Sequence, residues 1–324
     1  MRRRETITLI GGAAAWPLAA RAQRPAMPVV GYLSGRTEDS DASMLVSVRR
    51  GLADFGFRNV RIESRFADGR YDRLSAELTD LTQRQVSVIV STVFLSGGIL
   101  QQVRASPIPI VFVGGIDPVR FGLADRMNRP GGIVTGVNTL SGELSGKQLG
   151  LLHDLVPKAA TVAALIDPKQ PSAETITLPD ARDATAQLAQ KLLVLEASTA
   201  EEIDAQFANL DQKPADTMLV AVSPFFFTRA EQIVALAARH RIPAIYWRRE
   251  FAEAGGLVSY GYNVADTYRD LGRYAGRILN GEKPGDLPII QPTRFELVIN
   301  LKAAKAINFE FPPLIRALAD EVIE

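Results

Sequence analysis

The chain has 324 residues, a length that predicts two domains. Hydrophobic residues make up 47% and charged residues 23%, which is the composition of an ordinary globular protein and excludes a fibrous or disordered chain. The 37 lysines and arginines balance 36 aspartates and glutamates, so a formal net charge of +1 provides no bulk field for nucleic acid, which we do not expect as a partner.

Residues 1–22 have the pattern of an export signal. A basic start, "MRRR", is followed by a short apolar stretch and then by Ala20-Arg21-Ala22, an A-x-A cleavage site. The apolar stretch is too short to cross about 30 Å of hydrocarbon. We expect cleavage near Ala22 and a periplasmic product. Arg3-Arg4 resembles a twin-arginine signal, but Thr6 stands where that pattern prefers a large apolar residue, so the export route stays open.

The chain beyond residue 27 alternates short Val/Ile-rich runs with longer amphipathic ones, the pattern of an α/β protein with parallel sheets. The first series runs to residue 138, and a second begins after a helix at 145–155. In the first series, strands are predicted at 28–34, 60–66, 86–92, 108–114 and 132–138. In the second, they are predicted at 160–168, 192–198, 216–223, 242–247 and 256–261. The fold class is therefore α/β, with two similar doubly wound halves.

After the second series, the sequence predicts that the chain returns to a domain that has already formed. Asn263 is a good helix N-cap, and Asp266 stands three residues later near the positive end of the predicted helix. A proline-rich crossing at 282–293 follows, and then one more strand and helix at 295–307.

Polar residues follow many of the predicted strands. Ligands of doubly wound sheets bind at the carboxyl ends of the strands, where these side chains would line a site for a small zwitterion or carboxylate. The alternative is that the same residues cap helices and form turns. The loops concerned begin at Ser34, Thr92, Gly114, Asp167, Ser223 and Tyr246.

Aromatic residues also follow two of these strands. Phe225-Phe226-Phe227 and Tyr246-Trp247 could sandwich an aromatic ligand, or could simply pack between domains. Tyr260 and Tyr262, at the end of the last strand of the second series, raise the same question.

Catalytic signatures are missing from the sequence. It has no cysteine and only two histidines, and neither a phosphate loop nor a nucleophile elbow nor a zinc motif occurs. Asp117 and Asp167 could in principle form an acid/base pair, but nothing in the sequence indicates raised pKa values. We expect a protein that is not an enzyme and needs no cofactor and no metal.

Three long phrases carry a family resemblance: "GIDPVRFGLADRMNRPGGIVTGV", "REFAEAGGLVSYGYNVADTYR" and "KPGDLPIIQPTRFELVINLKAAKAI". From about Val29 to Glu324 the chain resembles the ABC-transporter substrate-binding proteins of the TrpX-like group, which are related to type I periplasmic binding proteins. The resemblance implies two lobes joined by a three-crossing hinge. Lobe one would comprise 27–138 plus 260–290, and lobe two 139–259 plus 291–324.

The resemblance also implies a binding mode. A solute carboxylate would be held by Ser34 and Thr92 of lobe one, and an amine by Asp117 or Asp167. Lobe two would close over the solute with Ser223, Tyr246 and Phe225. Tyr260 would be a ligand or hinge contact. These side chains form the predicted ligand-binding set.

The function implied is the extracytoplasmic solute-binding component of an ABC importer. It would bind a small molecule, an amino acid or an aromatic or carboxylate compound, and deliver it to a membrane permease and its ATPase. The protein would act as a monomer and touch the membrane complex only peripherally. The alternative is a periplasmic receptor domain that senses the ligand and signals to a separate sensor protein.

Overall fold

The computed structural model describes residues 27–93, 98–115, 117–139, 141–170, 173 and 177–324. The predicted signal peptide at 1–22 lies outside these described residues. Within them, no helix combines the length and the apolar character that a membrane crossing requires.

The first series of elements builds a five-stranded parallel sheet. Its strands are β1 (Val29–Ser34), β2 (Arg61–Phe66), β3 (Val88–Ser91), β4 (Ile110–Gly114) and β5 (Val134–Asn138), and its helices are α1 (Glu38–Asp54), α2 (Leu74–Gln83) and α3 (Gly98–Ala105). The strand order is β2-β1-β3-β4-β5. Apolar side chains of α2 and α3 cover one face and those of α1 the other, which explains why β3 is a continuous run of buried residues.

The second series builds a seven-stranded sheet. Its strands are β6 (Thr161–Ile166), β7 (Lys191–Glu196), β8 (Thr217–Val220), β9 (Ala244–Tyr246), β10 (Val258–Tyr262), β11 (Phe295–Asn300) and β12 (Glu321–Ile323). The order is β12-β11-β10-β9-β8-β6-β7, and only the β10–β11 pairing is antiparallel. The remaining helices are α4 (Ser141–Leu155), α5 (Leu178–Gln187), α6 (Ala200–Asn209), α7 (Pro224–Thr228), α8 (Ala230–Arg239), α9 (Arg249–Glu253), α10 (Val264–Leu279), α11 (Leu301–Ala306) and α12 (Pro313–Leu318).

The chain passes between the two sheets three times. It crosses after β5, again between β10 and α10, and finally after Ile290, which bridges Val137 of the smaller sheet before β11 begins. The fold is therefore two doubly wound lobes joined by three crossings. We call the body on the five-stranded sheet the first lobe and the body on the seven-stranded sheet the second lobe.

The second crossing lies slightly later than the sequence predicted. The expected boundary placed residues from 260 onward in the first lobe, but Tyr260 and Tyr262 pair with β11 in the larger sheet. Asn263 then caps α10, and its side-chain oxygen accepts a hydrogen bond from the Asp266 amide at 2.7 Å, which confirms the predicted N-cap. We propose that the lobes divide after Tyr262.

Helix α10 returns to the first lobe and packs closely on α1. Gly51 and Gly272 meet at this contact, where a Cβ on Gly272 would lie 2.1 Å from the Val48 carbonyl oxygen. Asp54 accepts hydrogen bonds from Arg269 and Arg273 beside it, and these lower the pKa of its carboxyl to about 2. The contact fixes α10, and with it the second crossing, against the first lobe.

Candidate functional site

A cavity of about 80 Å³ lies between the two lobes. The first lobe contributes residues that follow β1, β3, β4 and β5, and the second contributes residues that follow β6, β8 and β9. The carboxyl ends of both sheets therefore meet here, as the doubly wound fold requires of a ligand site. The lining includes Gly35, Arg36, Tyr71, Thr92, Gly114, Thr139, Gln170, Val222, Pro224, Trp247, Tyr262 and Tyr268.

Four buried polar atoms around this cavity have no hydrogen-bond partner among the described residues. They are the Tyr71 hydroxyl, Thr92 Oγ1, Gln170 Oε1 and Trp247 Nε1. Buried polar groups in proteins are nearly always hydrogen-bonded, because an unpaired one costs about 1–3 kcal/mol. Two of these groups come from each lobe. The residues that line the cavity thus carry donors and an acceptor, from both lobes, that no described residue satisfies.

Tyr71 brings the first lobe close to a polar network of the second. Burial raises the pKa of the Tyr71 hydroxyl well above its ordinary value, and the negative charge of Asp167 adds to the rise, while the nearby Ser223 hydroxyl acts in the opposite direction. The Tyr71–Ser223 approach does not have the geometry of an ordinary hydrogen bond. Tyr71 therefore remains a protonated donor at physiological pH.

Trp247 forms an aromatic wall of the cavity and is 3% exposed. Its ring packs against Phe227 and Phe251, with centroids 6.4 and 6.3 Å away. The Arg248 guanidinium lies 4.3 Å from the Phe227 ring and 5.3 Å from the Trp247 ring, and its Nε donates to Glu250 Oε2 at 3.0 Å. These contacts hold the indole in a fixed orientation.

Tyr262 and Trp247 also border a larger hollow of about 170 Å³ beside the second crossing. That hollow lies between α1 and α9, and the Arg248–Glu250 pair on its wall is already satisfied. Burial raises the pKa of Tyr262 to about 12, so its hydroxyl stays protonated at physiological pH. Of the four unpartnered atoms, only Trp247 Nε1 belongs to a residue of the larger hollow, so the interlobe cavity is the better candidate for a polar ligand.

Two predicted contacts of the first lobe lie at or behind the cavity. Thr92 lines it. Ser34 is fully buried one residue before Gly35, and its Oγ accepts a hydrogen bond from the Arg36 amide at 3.1 Å. Ser34 therefore shapes the loop that carries Arg36.

Asp167 and Ser223 lie together beneath the second-lobe wall. The Ser223 hydroxyl donates to Asp167 Oδ2 at 3.0 Å, and Oδ1 accepts from the Ser198 hydroxyl at 2.8 Å and the Lys169 amide at 3.0 Å. Ser223 also caps α7. The network positions Gln170 and Pro224, the neighbours that line the cavity.

The other four predicted contacts lie away from the cavity lining. Asp117 is exposed and accepts from the Val119 and Arg120 amides in a turn. Phe225 packs on Phe226, with ring centroids 5.7 Å apart. Tyr246 is buried and stacks on Phe251 at 4.9 Å, and Tyr260 stacks on Phe295 at 5.8 Å. As ligand contacts, these four and the preceding four all stay predictions.

Sequence reasoning missed several lining residues. Gln170 lies two residues after a predicted strand end, so a wider window after each strand would have included it. Trp247 was named as a candidate aromatic contact but was left out of the predicted ligand-binding set. Arg36 lies in the loop after β1, two residues beyond Ser34. Tyr71 follows the edge strand β2 and Tyr268 lies inside α10, and only the packing of the lobes brings these two to the cavity.

The chain is similar in sequence to known proteins. The family model described as "ABC transporter substrate binding protein" matches residues 37–323. A tyrosine-binding protein of Clostridioides difficile (strain R20291) is 25% identical over 210 residues, which are 63% of this chain but 58% of that protein, so the match spans less than two thirds of its length.

Solved structures share the fold. A conserved domain protein from Vibrio cholerae has a TM-score of 0.82 at 20% identity, with 91% of this chain and 99% of that one covered. A domain from Streptococcus pneumonia in complex with L-Trp has a TM-score of 0.80 at 20% identity, with the same coverage. At these identities the likeness shows the fold alone.

Proposed function

The chain belongs to the ABC transporter substrate-binding protein family, and from this premise we propose that it is the extracytoplasmic solute receptor of an ABC importer. In this role it binds a small molecule between its lobes, closes around it, and delivers it unchanged to a membrane permease. Proteins of such importers work outside the cytoplasm, and the predicted export signal at 1–22 supports that location. We propose that it acts as a monomer.

One observation carries the proposal: unpartnered polar atoms from both lobes surround a single cavity. Tyr71 and Thr92 belong to the first lobe, and Gln170 and Trp247 to the second. A solute that satisfies all four must touch both lobes at once. Such a solute stabilises the closed arrangement by its differential affinity for it.

The aromatic wall indicates the kind of solute. Trp247, Tyr71 and Tyr262 line the cavity together, and aromatic rings pack favourably on one another in offset or edge-to-face arrangements. The related C. difficile protein is named for tyrosine and the pneumococcal domain contains L-Trp. We propose an aromatic amino acid or a related aromatic carboxylate as the solute.

The chain offers a direct test, because Trp247 is the only tryptophan after residue 16. A protein that begins at Gln23 therefore reports on the cavity by its tryptophan emission. We expect saturable quenching and a blue shift on addition of L-tyrosine or 4-hydroxyphenylacetate, with selective excitation of tryptophan. The same probes should raise the melting temperature, since a ligand at 100 times its Kd stabilises the folded state by about 2.7 kcal/mol.

Trp247→Phe is the control for the fluorescence signal. It should abolish the emission change while thermal shift still detects the probe, weakened. A panel of aromatic acids and amino acids that changes neither emission nor melting temperature would contradict the proposal. Chemical turnover of a bound probe would contradict it as well, because an importer's receptor releases its solute intact.

A further inference from the structure

Arg36 is a charged side chain buried at the wall of the interlobe cavity. It lies in the loop between β1 and α1 and is 7% exposed. Arginine is almost never this buried unless it is paired. Its partners therefore show what the guanidinium is used for.

The guanidinium is held from one side by the protein. Arg36 Nε donates to Asp41 Oδ1, and Nη2 donates to the Tyr268 hydroxyl oxygen at 2.6 Å and contacts Met44 Sδ at 3.5 Å. The second oxygen of Asp41 accepts from the Tyr32 hydroxyl at 2.8 Å, so both oxygens of the buried Asp41 carboxylate are engaged. The network fixes the plane of the guanidinium.

Two hydrogen-bond donors of this network, Arg36 Nη1 and the Tyr268 hydroxyl, are not used among the described residues. Arg36 Nη1 makes no hydrogen bond to any described residue. The Tyr268 oxygen accepts from Arg36, and no described residue accepts the Tyr268 hydroxyl proton. Both residues line the cavity, and Tyr268 is 3% exposed. Nη1 belongs to the same planar guanidinium as Nη2, the nitrogen that contacts the Tyr268 hydroxyl, so the unused N–H and O–H groups lie on two directly linked members of one network.

A carboxylate fits this pair of donors. Its two oxygens can accept from an arginine nitrogen and a neighbouring hydroxyl at once, and hydrogen bonds to an ionised acceptor are about twice as strong as neutral ones. Asp41 does not take this place: its oxygens accept from Arg36 Nε and the Tyr32 hydroxyl, and neither accepts from Nη1 or from the Tyr268 hydroxyl.

We propose that Arg36 and Tyr268 are the anion site of the cleft and bind the carboxylate of the solute. The inference rests on the proposed function and adds the chemical class of the group that is recognised. It places the carboxylate on the first lobe, beside Thr92, and leaves the second-lobe wall with Trp247 for the remainder of the solute.

A purely structural role is the competing explanation. The Arg36–Asp41 pair also ties the loop after β1 to α1, and Tyr268 ties it to α10. This role uses Nε and Nη2 but gives no use for Nη1 or for the Tyr268 proton. The two explanations differ in whether the protein distinguishes an acid from its neutral amide.

Calorimetric titrations with matched probes test the inference. The probes are 4-hydroxyphenylacetate and 4-hydroxyphenylacetamide, and indole-3-acetate and indole-3-acetamide, which differ in the carboxylate alone. We expect at least one acid to bind about tenfold or more tightly than its amide, the effect of one charge-assisted hydrogen bond or more. Tyr268→Phe and Arg36→Lys should each reduce that preference about tenfold, because the acid loses a charge-assisted hydrogen bond and the amide only a weaker neutral one.

Tyr274→Phe is the matched control, since it makes the same change on the same helix. The Tyr274 hydroxyl donates to the Pro288 carbonyl at 2.7 Å, and Tyr274 does not line the cavity. Its loss should lower the melting temperature slightly and leave the preference for the acid intact. Should Arg36→Lys fail to fold, Tyr268→Phe still decides, because it retains the arginine and its partner Asp41.

The outcomes separate the inference from the proposed function. Equal binding of acid and amide by the unmodified protein would overturn the anion site but leave a solute receptor. A preference for the acid that survives in both Tyr268→Phe and Arg36→Lys would also overturn it. If neither the acids and amides nor the panel of aromatic amino acids bind, both proposals fail.

Discussion

Thr92 and Ser91 are neighbours whose hydroxyl oxygens are both buried without a hydrogen-bond partner among the described residues. Only Thr92 lines the interlobe cavity. Since an unpaired buried hydroxyl costs about 1–3 kcal/mol, the ligand-free protein carries this cost at both positions. At Thr92 a solute can satisfy the hydroxyl, whereas at Ser91 it cannot.

Thr92→Val should therefore change stability and binding in opposite directions. We expect the ligand-free protein to gain up to about 1 kcal/mol of unfolding free energy, because the substitution replaces the hydroxyl by a methyl group of similar size. Binding of an aromatic carboxylate should weaken about threefold to tenfold. Denaturant unfolding and calorimetry measure the two effects.

Ser91→Ala is the matched control for Thr92→Val. It removes the other unpartnered hydroxyl, one residue away, and should change binding by less than about twofold. If both variants bind the solute as the unmodified protein does, the Thr92 hydroxyl is not a ligand contact. That result would remove Thr92 from the site while leaving the cavity in place.

Single residues show where sequence-based prediction of the site reached its limit. Strand ends are readable from hydrophobic runs, and Thr92, selected in this way, lines the cavity. The direction of the last side chain is not readable, because successive residues of a strand face opposite sides. Tyr246 points into the core against Phe251, and its neighbour Trp247 lines the cleft. A shift of one residue thus separates a core aromatic residue from a candidate ligand contact.

The close contact between helices α1 and α10 predicts that one added methyl group destabilises the protein. Gly272→Ala would place a Cβ 2.1 Å from the Val48 carbonyl oxygen, which is backbone and cannot rotate away. The two helices must separate, and overpacking of this kind costs about 1–3 kcal/mol. We expect a clear fall in the melting temperature, measured by circular dichroism.

Gly150→Ala is the control within a helix. Gly150 lies inside α4, and a Cβ there would meet no neighbour within 4 Å. The substitution should stabilise the protein by about 0.5–1 kcal/mol, the ordinary preference of a helix for alanine. If Gly272→Ala were equally stabilising, the close approach of α1 and α10 would be incorrect.

Elements with a clear hydrophobic pattern were predictable, and the short, mostly exposed strand β12 was not. The strands from β1 to β11 all fall within predicted runs or extend them by a residue. Buried parallel strands such as β4 leave continuous Val/Ile-rich segments, whereas β2 is partly exposed and carries charged residues. Strand β12 has the sequence Glu321–Ile323 and lies at the exposed edge of the larger sheet. β12 is a strand only because it pairs with β11, and no local sequence pattern predicts that pairing.

At the scale of the whole molecule, the sequence predicted two doubly wound bodies but not how their strand ends face one another. Tyr71 follows an edge strand of one lobe, and Gln170 follows a central strand of the other. They share a cavity only because three crossings set the lobes face to face. The geometry of these crossings depends on packing such as that of α10 on α1, to which residues distant in sequence contribute.

The two lobes should move relative to each other when solute binds. Asp72 and Lys169 are exposed neighbours of the cavity-lining Tyr71 and Gln170, on opposite lobes. The chain contains no cysteine, so cysteines placed at these two positions carry the only spin labels. We expect electron paramagnetic resonance to show a broad distribution of longer distances without solute and a narrow, shorter one with a saturating aromatic carboxylate, because the solute favours the closed state alone.

Labels at Glu201 and Lys213 provide the internal reference, since both positions are exposed on the second lobe. Their separation should not respond to solute. The half-saturating concentration for the Asp72–Lys169 distance should equal that for the change in Trp247 emission, because one closing event produces both signals. An emission change without any change in distance would mean that solute binds to lobes already held in place, and closure could not then be what a permease recognises.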